Sequence, residues 1–226
     1  MKRKIPCFCD NSFDIETPDE IDLDQNPAYF EEIQNGSFMN FTCTSCGKKH
    51  KPEFPISILW PSKKLCFEVI PELDRGSFYR RKKQDAPKLP GNAPGKASSY
   101  TIETIIGFPE MADRLAMIRD GFEPVAMEAI KYFLHLKAEE QYPEDELDIW
   151  YFGSSSSGEQ GSEQGSLEFH IHGIKENEVA VMKVPLSLYT KTLKDYKSGP
   201  KEELFTSLRV RTYLSVKNTM VPELLK

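Results

Sequence analysis

Four of the five cysteines stand in two close pairs, Cys7-Phe8-Cys9 and Cys43-Thr44-Ser45-Cys46-Gly47. Thiolates at such spacing can converge on one tetrahedral Zn²⁺. In the second pair, two intervening residues put both sulfurs on one side of a tight turn, and Gly47 lets the backbone pass through positive φ. Lys48 and Lys49 follow, where they offset the excess negative charge of four thiolates. In the first pair, a single intervening residue leaves both side chains on one face of an extended strand, so both can still ligate. The expected ligands of a structural zinc are therefore Cys7, Cys9, Cys43 and Cys46. A mixed set of Cys9, Cys43, Cys46 and His50, which releases Cys7, stays open at this level, as do a redox dithiol and a site without metal. Cys66, in Lys64-Leu65-Cys66-Phe67-Glu68, reads as a small core residue of a strand.

Two other groups could carry chemistry. Glu168-Phe169-His170-Ile171-His172 places a carboxylate and two imidazoles on one face of a strand, a donor set suited to Zn²⁺ or Fe²⁺. The alternative is an ordinary amphipathic strand with Leu167, Phe169 and Ile171 in the core, and that account needs nothing added. Phe78-Tyr79-Arg80-Arg81-Lys82-Lys83 mixes rings and cations as a single-strand nucleic-acid binder does, or else is a solvated linker or an arm that docks on an acidic domain of this chain or of a partner. His135 reads as a helix-surface residue. The chain carries no Gly-rich phosphate loop, nucleophile elbow or His-Glu-x-x-His helix, so it announces a metal but no reaction.

The elements that must position these residues predict an α+β protein. Residues 1–76 read as a zinc-ribbon-like, β-rich domain: a strand pair over 3–17 broken by the first cysteine turn, a compact helical segment over 24–36, and strands at 56–60 and 65–70. Asn26 is the expected helix N-cap, Pro27 its first residue and Gly36 its terminator. Residues 77–104 are rich in Pro, Gly and Lys without apolar periodicity, the composition of a linker. Residues 105–226 read as a small α+β domain. Its helices start from Pro109 and Pro124, the second with Ala126, Ala129/Ile130, Phe133 and Leu136/Lys137 spaced for burial. Strands follow at 147–152, 167–172 and 179–184, then helices at 187–196 and 201–206, and a last strand at 208–216. The Gly/Ser-rich segment 153–166 is expected to be a disordered hairpin loop.

The 226 residues carry a net charge of −6, which opposes general binding to nucleic acid or acidic membranes. The charge is uneven: residues 77–100 are at +5, against −4 for residues 1–76 and −7 for residues 101–226. No apolar run follows the basic start, and none approaches the ~20 residues of a membrane span. The expected compartment is the cytoplasm, where thiols stay reduced.

Ile5-Pro6-Cys7-Phe8-Cys9, the segment Asn26-Pro27 to Gly36, Phe41-Thr42-Cys43-Thr44-Ser45-Cys46-Gly47 and the strand end Val69-Ile70-Pro71-Glu72 together resemble the bacterial CpXC-domain family. The likeness covers residues 3–75, with a further echo at residues 120–136 and 148–152. The family takes its name from a Cys-Pro-x-Cys turn; here Pro6 stands at its first cysteine and Cys7 at its proline. The resemblance implies a zinc-ribbon-like fold and a bacterial origin, and no activity. The expected function is that of a zinc-binding, non-catalytic protein-interaction or scaffold protein. Nucleic-acid binding through the ribbon is the alternative, and a metal enzyme at Glu168, His170 and His172 the third.

Overall fold

Alternation of apolar and polar residues at both ends of the first cysteine turn makes a hairpin. Strand β1 (Lys2–Pro6) pairs antiparallel with β2 (Ser12–Glu16), Ile5 opposite Phe13, and Ile5, Phe13 and Ile15 are buried. The computed structural model describes residues 1–80, 100–142, 146–156, 165–176 and 178–221. It divides into two compact units, Met1–Ala112 and Asp113–Lys226, and is mixed α+β.

In the first unit, β3 (Glu20–Asp22) leads to helix α1 (Ala28–Gln34). Asn26 is not the cap: Pro27 occupies that position without a side-chain bond, and the Asn26 side-chain amide donates to the Asp22 carbonyl at 3.4 Å. The Asp22 carboxylate instead accepts the amides of Asp24 and Gln25, each at 3.0 Å. Gly36 follows α1 at φ +75°, the left-handed conformation expected of it. Two short strands, β4 (Phe41–Thr42) and β5 (Lys49–His50), flank the second cysteine turn as an antiparallel pair.

The main sheet of this unit comes from β-branched runs. Strands β6 (Ile56–Trp60) and β7 (Leu65–Ile70) pair antiparallel with Ile58 opposite Phe67, both fully buried. β6 pairs parallel with β3 on one side. On the other, β7 pairs parallel with β8 (Thr101–Ile106). Between them lies α2 (Arg75–Arg80), which buries Phe78 and Tyr79. Residues 77–80 and 101–104 of the expected linker thus lie in α2 and β8. Residues 81–99 of it, with Arg81, Lys82, Lys83, Lys88 and Lys96, fall outside the described residues.

Glu53 closes this unit. Its carboxylate accepts the Glu72 amide at 2.6 Å and the Phe108 amide at 2.8 Å, so one side chain caps two helical turns. Arg75 meets the carboxylates of Glu72 and Glu110 beside it. Glu53→Ala is expected to cost about 2 kcal/mol, since it orphans two amides at helix starts. Urea unfolding with the denaturant slope unchanged is the check; a change below a few tenths of a kcal/mol would remove the double cap from the account.

Helix α3 (Phe108–Arg119) carries the division between the units, and α4 (Pro124–Glu139) follows. Strands β9 (Asp148–Ser156), β10 (Gly165–Lys175) and β11 (Glu178–Pro185) form an antiparallel sheet in the order β11-β10-β9. Its inner face sets Leu167, Phe169 and Ile171 against Met127, Ile130 and Leu134 of α4. β9 and β10 reach to Ser156 and back from Gly165, into the segment read as a disordered loop; residues 157–164 lie outside the described residues. Helix α5 (Leu186–Ser198) and α6 (Glu203–Ser207) come next. The expected strand at 208–216 is instead a hairpin of β12 (Arg209–Val210) and β13 (Tyr213–Leu214), turned by Arg211 at φ +57°, before the short α7 (Lys217–Met220).

Helix α4 also corrects the sequence reading of its own faces. Phe133 and Leu136 are exposed, while Glu128, Lys131 and His135 are buried. His135 is therefore no surface residue. Burial, with the Lys131 charge second, pushes its imidazole down to about 4; Lys217 acts with them, and Asp148 and Glu128 act against. The folded chain keeps His135 neutral where the unfolded chain begins to bind a proton, so stability falls as pH drops from about 6.5 to about 4. His135→Leu is expected to flatten that acid limb by roughly 1–3 kcal/mol, allowing for partial solvent screening. Thermal melts at pH 7 and pH 4.5 decide it, since an unaltered difference between them would assign the limb to other groups. Among the described residues, no helix is long and apolar enough to cross a membrane.

Candidate metal centre

Two turns deliver the four sulfurs. After β1, the Cys7 amide donates to the Asn11 carbonyl at 2.8 Å and the Asp10 amide to the Cys7 carbonyl at 3.1 Å, with Asp10 at φ +62°. After β4, the Gly47 amide donates to the Cys43 carbonyl at 3.0 Å and the Cys43 amide to the Lys48 carbonyl at 2.9 Å. Gly47 sits at φ +72° with open space where a Cβ would go, so backbone conformation rather than crowding selects glycine. The Asn11 side-chain amide bonds the Ser45 hydroxyl and ties one turn to the other.

The sulfurs converge as the spacing predicts. Cys7 Sγ lies 3.5 Å from Cys46 Sγ, Cys9 Sγ lies 3.8 Å from Cys43 Sγ, and all four fall within 4.8 Å of one another. A tetrahedron of sulfurs at the usual Zn–S length of about 2.3 Å has edges of about 3.8 Å. The arrangement therefore fits a tetrahedral metal ion. Cys7 and Cys43 are buried and Cys9 and Cys46 exposed, so the cluster lies at the surface with one side on a core. That core is Ile5, Phe13 and Ile15, with Phe41 and Phe54 packed on it.

The two turns treat their sulfurs differently. The amides of Cys46 and Ser45 draw the Cys43 thiol down to about 7. The Cys9 amide draws Cys7 down as well, but burial and the thiols of Cys46, Cys9 and Cys43 outweigh it and push Cys7 up to about 12. Four thiolates this close repel one another, and a divalent cation between them removes the repulsion.

His50 stands outside the sulfur group. Its Nε2 lies 3.2 Å from Cys7 Sγ, and its ring stacks on Phe8 at 5.9 Å and tilts against Phe13 at 5.6 Å. The sequence offered His50 as a substitute for Cys7; the structure places it against Cys7. Phe8, at the tip of the first turn, is 87 % exposed, and Lys48 Nζ lies 5.6 Å from its ring centroid. Sequence reasoning passed over Phe8 because a residue between two ligands reads as spacer.

The other candidates do not converge. Among the described residues, the cysteine quartet is the one group of three or more His, Cys, Asp or Glu with donor atoms gathered this way. Glu168, His170 and His172 share the outer face of β10, where His170 Nε2 meets Glu168 at 3.3 Å and the ring stacks on Phe152 at 4.0 Å. Behind them Leu167, Phe169 and Ile171 are buried, as the amphipathic-strand account requires. Phe78 and Tyr79 are buried too and pack edge to face at 5.5 Å, so neither ring is presented for base stacking. Cys66 is buried in β7, the place expected of it.

An α+β chain whose β-rich first unit gathers four thiols from two turns defines a class of candidate metal-binding domains, and the family comparison agrees with it. The chain belongs to the CpXC protein family, whose model matches residues 5–131. The match takes in the four clustered cysteines and runs through α1 into α4, ending short of residues 148–152, where the resemblance had its last echo. The chain is also 28% identical over 219 residues to an uncharacterised protein of Treponema pallidum (strain Nichols), an alignment covering 95% of this chain and 97% of that protein. No solved structure matches the chain.

Proposed function

We propose that this is a cytoplasmic bacterial protein in which a structural Zn²⁺, held by Cys7, Cys9, Cys43 and Cys46, fixes a small β-rich platform for binding another protein. The observation that carries this reading is the quartet of sulfurs, with separations of 3.5 and 3.8 Å close to the edges of a zinc tetrathiolate. Zinc is favoured over harder cations because every donor is sulfur. A tetrathiolate leaves no open position for substrate or water, so the ion's role is structural rather than catalytic. Cytoplasmic placement follows from the thiols, which persist as metal ligands where disulfides do not form. The exposed Phe8 ring on a metal-braced turn is the kind of aromatic anchor that dominates protein interfaces.

Elemental mass spectrometry on the untagged chain tests the metal. The expected result is one zinc per chain, lost or weakened in Cys7→Ser and absent in Cys43→Ser/Cys46→Ser. Folded wild-type protein purified without any metal would overturn the reading.

A further inference from the structure

We propose that His50 is a positioning residue of the metal centre: its Nε2–H donates to the Cys7 thiolate and holds that sulfur in the tetrahedron, without itself ligating the ion. The proposal rests on the zinc reading above.

Three observations carry it. The first is contact: Nε2 lies 3.2 Å from Cys7 Sγ, and His50 is not part of the group in which the four sulfurs converge. A metal-bound thiolate carries no proton, so the hydrogen in this pair sits on nitrogen. The second is burial: Cys7 is a buried residue, so its sulfur depends on protein groups rather than water for hydrogen bonds. A zinc tetrathiolate has an excess of about two negative charges, and donors to sulfur spread it. His50 supplies such a donor to Cys7. The third is confinement of the ring. β5 pairs His50 opposite Phe41, and Phe8 and Phe13 lie against the imidazole. A ring held this way presents one nitrogen to one sulfur, the arrangement by which outer groups orient metal ligands.

The arrangement also couples the ion to the surface. Phe8 lies between two ligands and stacks on His50, so the exposed tip keeps its position only while Cys7 and His50 keep theirs.

The test is zinc competition against a chromophoric chelator on the full chain, with cobalt spectra beside it. His50→Phe keeps a ring for the stack and removes the donor. Zinc is expected to bind about 10–100-fold more weakly, still one per chain, with the cobalt absorption of four thiolates unchanged. His50→Gln restores an N–H and is expected to recover most of the affinity. In a Cys7→Ser background, His50→Phe is expected to add little. Equal affinity of wild type and His50→Phe would overturn the proposal while leaving the zinc reading intact. A cobalt spectrum that changes in His50→Phe would overturn it by making His50 a ligand. Wild-type chain that binds neither zinc nor cobalt would overturn the zinc reading, and the proposal with it, before any variant is compared.

Discussion

With the proposed zinc in the cysteine cluster, its removal by a chelator is expected to melt the β1–β2 and β4–β5 hairpins while leaving the helices of the second unit folded. The reason is the size of the core beneath the sulfurs. Ile5, Cys7, Phe13, Ile15 and Cys43 are its buried members, with Phe41 and Phe54 alongside. Burying a large apolar side chain contributes about 1.5–3 kcal/mol, so so few side chains supply on the order of 10 kcal/mol. The four strands they hold have 5, 5, 2 and 2 residues, and each ordered residue costs about 1–2 kcal/mol in backbone entropy. Apolar burial alone does not cover that cost. Structural zinc adds roughly 10–16 kcal/mol of apparent binding energy, which does. By contrast α4 buries ten residues and needs no metal for its core. Hydrogen exchange is the measurement: amides of residues 1–16 and 41–50 are expected to lose protection on chelation, and those of α4 and β10 to keep it. Cys43→Ser/Cys46→Ser is expected to give the same pattern without a chelator. Protection unchanged at 1–16 after complete metal removal would deny the ion any structural role.

The convergence of the four cysteines was legible because its determinants are local. Two cysteine turns are specified by a few consecutive residues each, and Gly36 and Gly47 mark positive φ where the sequence places them. The amphipathic strand behind Glu168, His170 and His172 was equally plain, since a period of two with such apolar alternates has a single good solution. What did not show was anything decided by a distant partner. β8 reads as the end of a linker because its β-branched run follows Pro and Gly; it is a strand because β7 lies beside it in parallel register, Val69 opposite Ile105. Asn26 has every local qualification for a cap, yet the Asp22 carboxylate took up the nearby amides. His50 was visible as a metal-type residue, but whether an imidazole ligates the ion or supports a ligand depends on where Phe8 and Phe13 pin the ring.

Loss of a single cation inside the second unit is expected to be the most damaging point change outside the cysteine cluster. Lys131 Nζ meets Asp113 and lies 3.1 Å from Glu128, with all three side chains at most 4 % exposed. Arg114 Nη2 lies 3.3 Å from Glu128 and donates to the Leu214 carbonyl at 2.7 Å. The carboxylates reach further still: Asp113 accepts the Tyr151 amide at 2.6 Å and Glu128 the Val216 amide at 2.8 Å. Two acids and two bases thus balance while fastening α3 and α4 to β9 and to the segment after β13. Lys131 and Arg114 hold Glu128 below the usual carboxylate range despite its burial. The sequence hid the network because charged residues within helices ordinarily face water, and the apolar pattern of α4 suggested another buried side.

Lys131→Met leaves two buried carboxylates against one cation and is expected to cost about 3–5 kcal/mol. Asp113→Asn/Lys131→Met removes one charge of each sign and keeps an oxygen for the Tyr151 amide. The double variant is therefore expected to be more stable than Lys131→Met alone, a coupling that independent sites do not show. Urea unfolding of the two single variants and the double variant measures it. Additive losses would mean that the four groups act separately, and that their balance of charge is not what holds α3 and α4 in place.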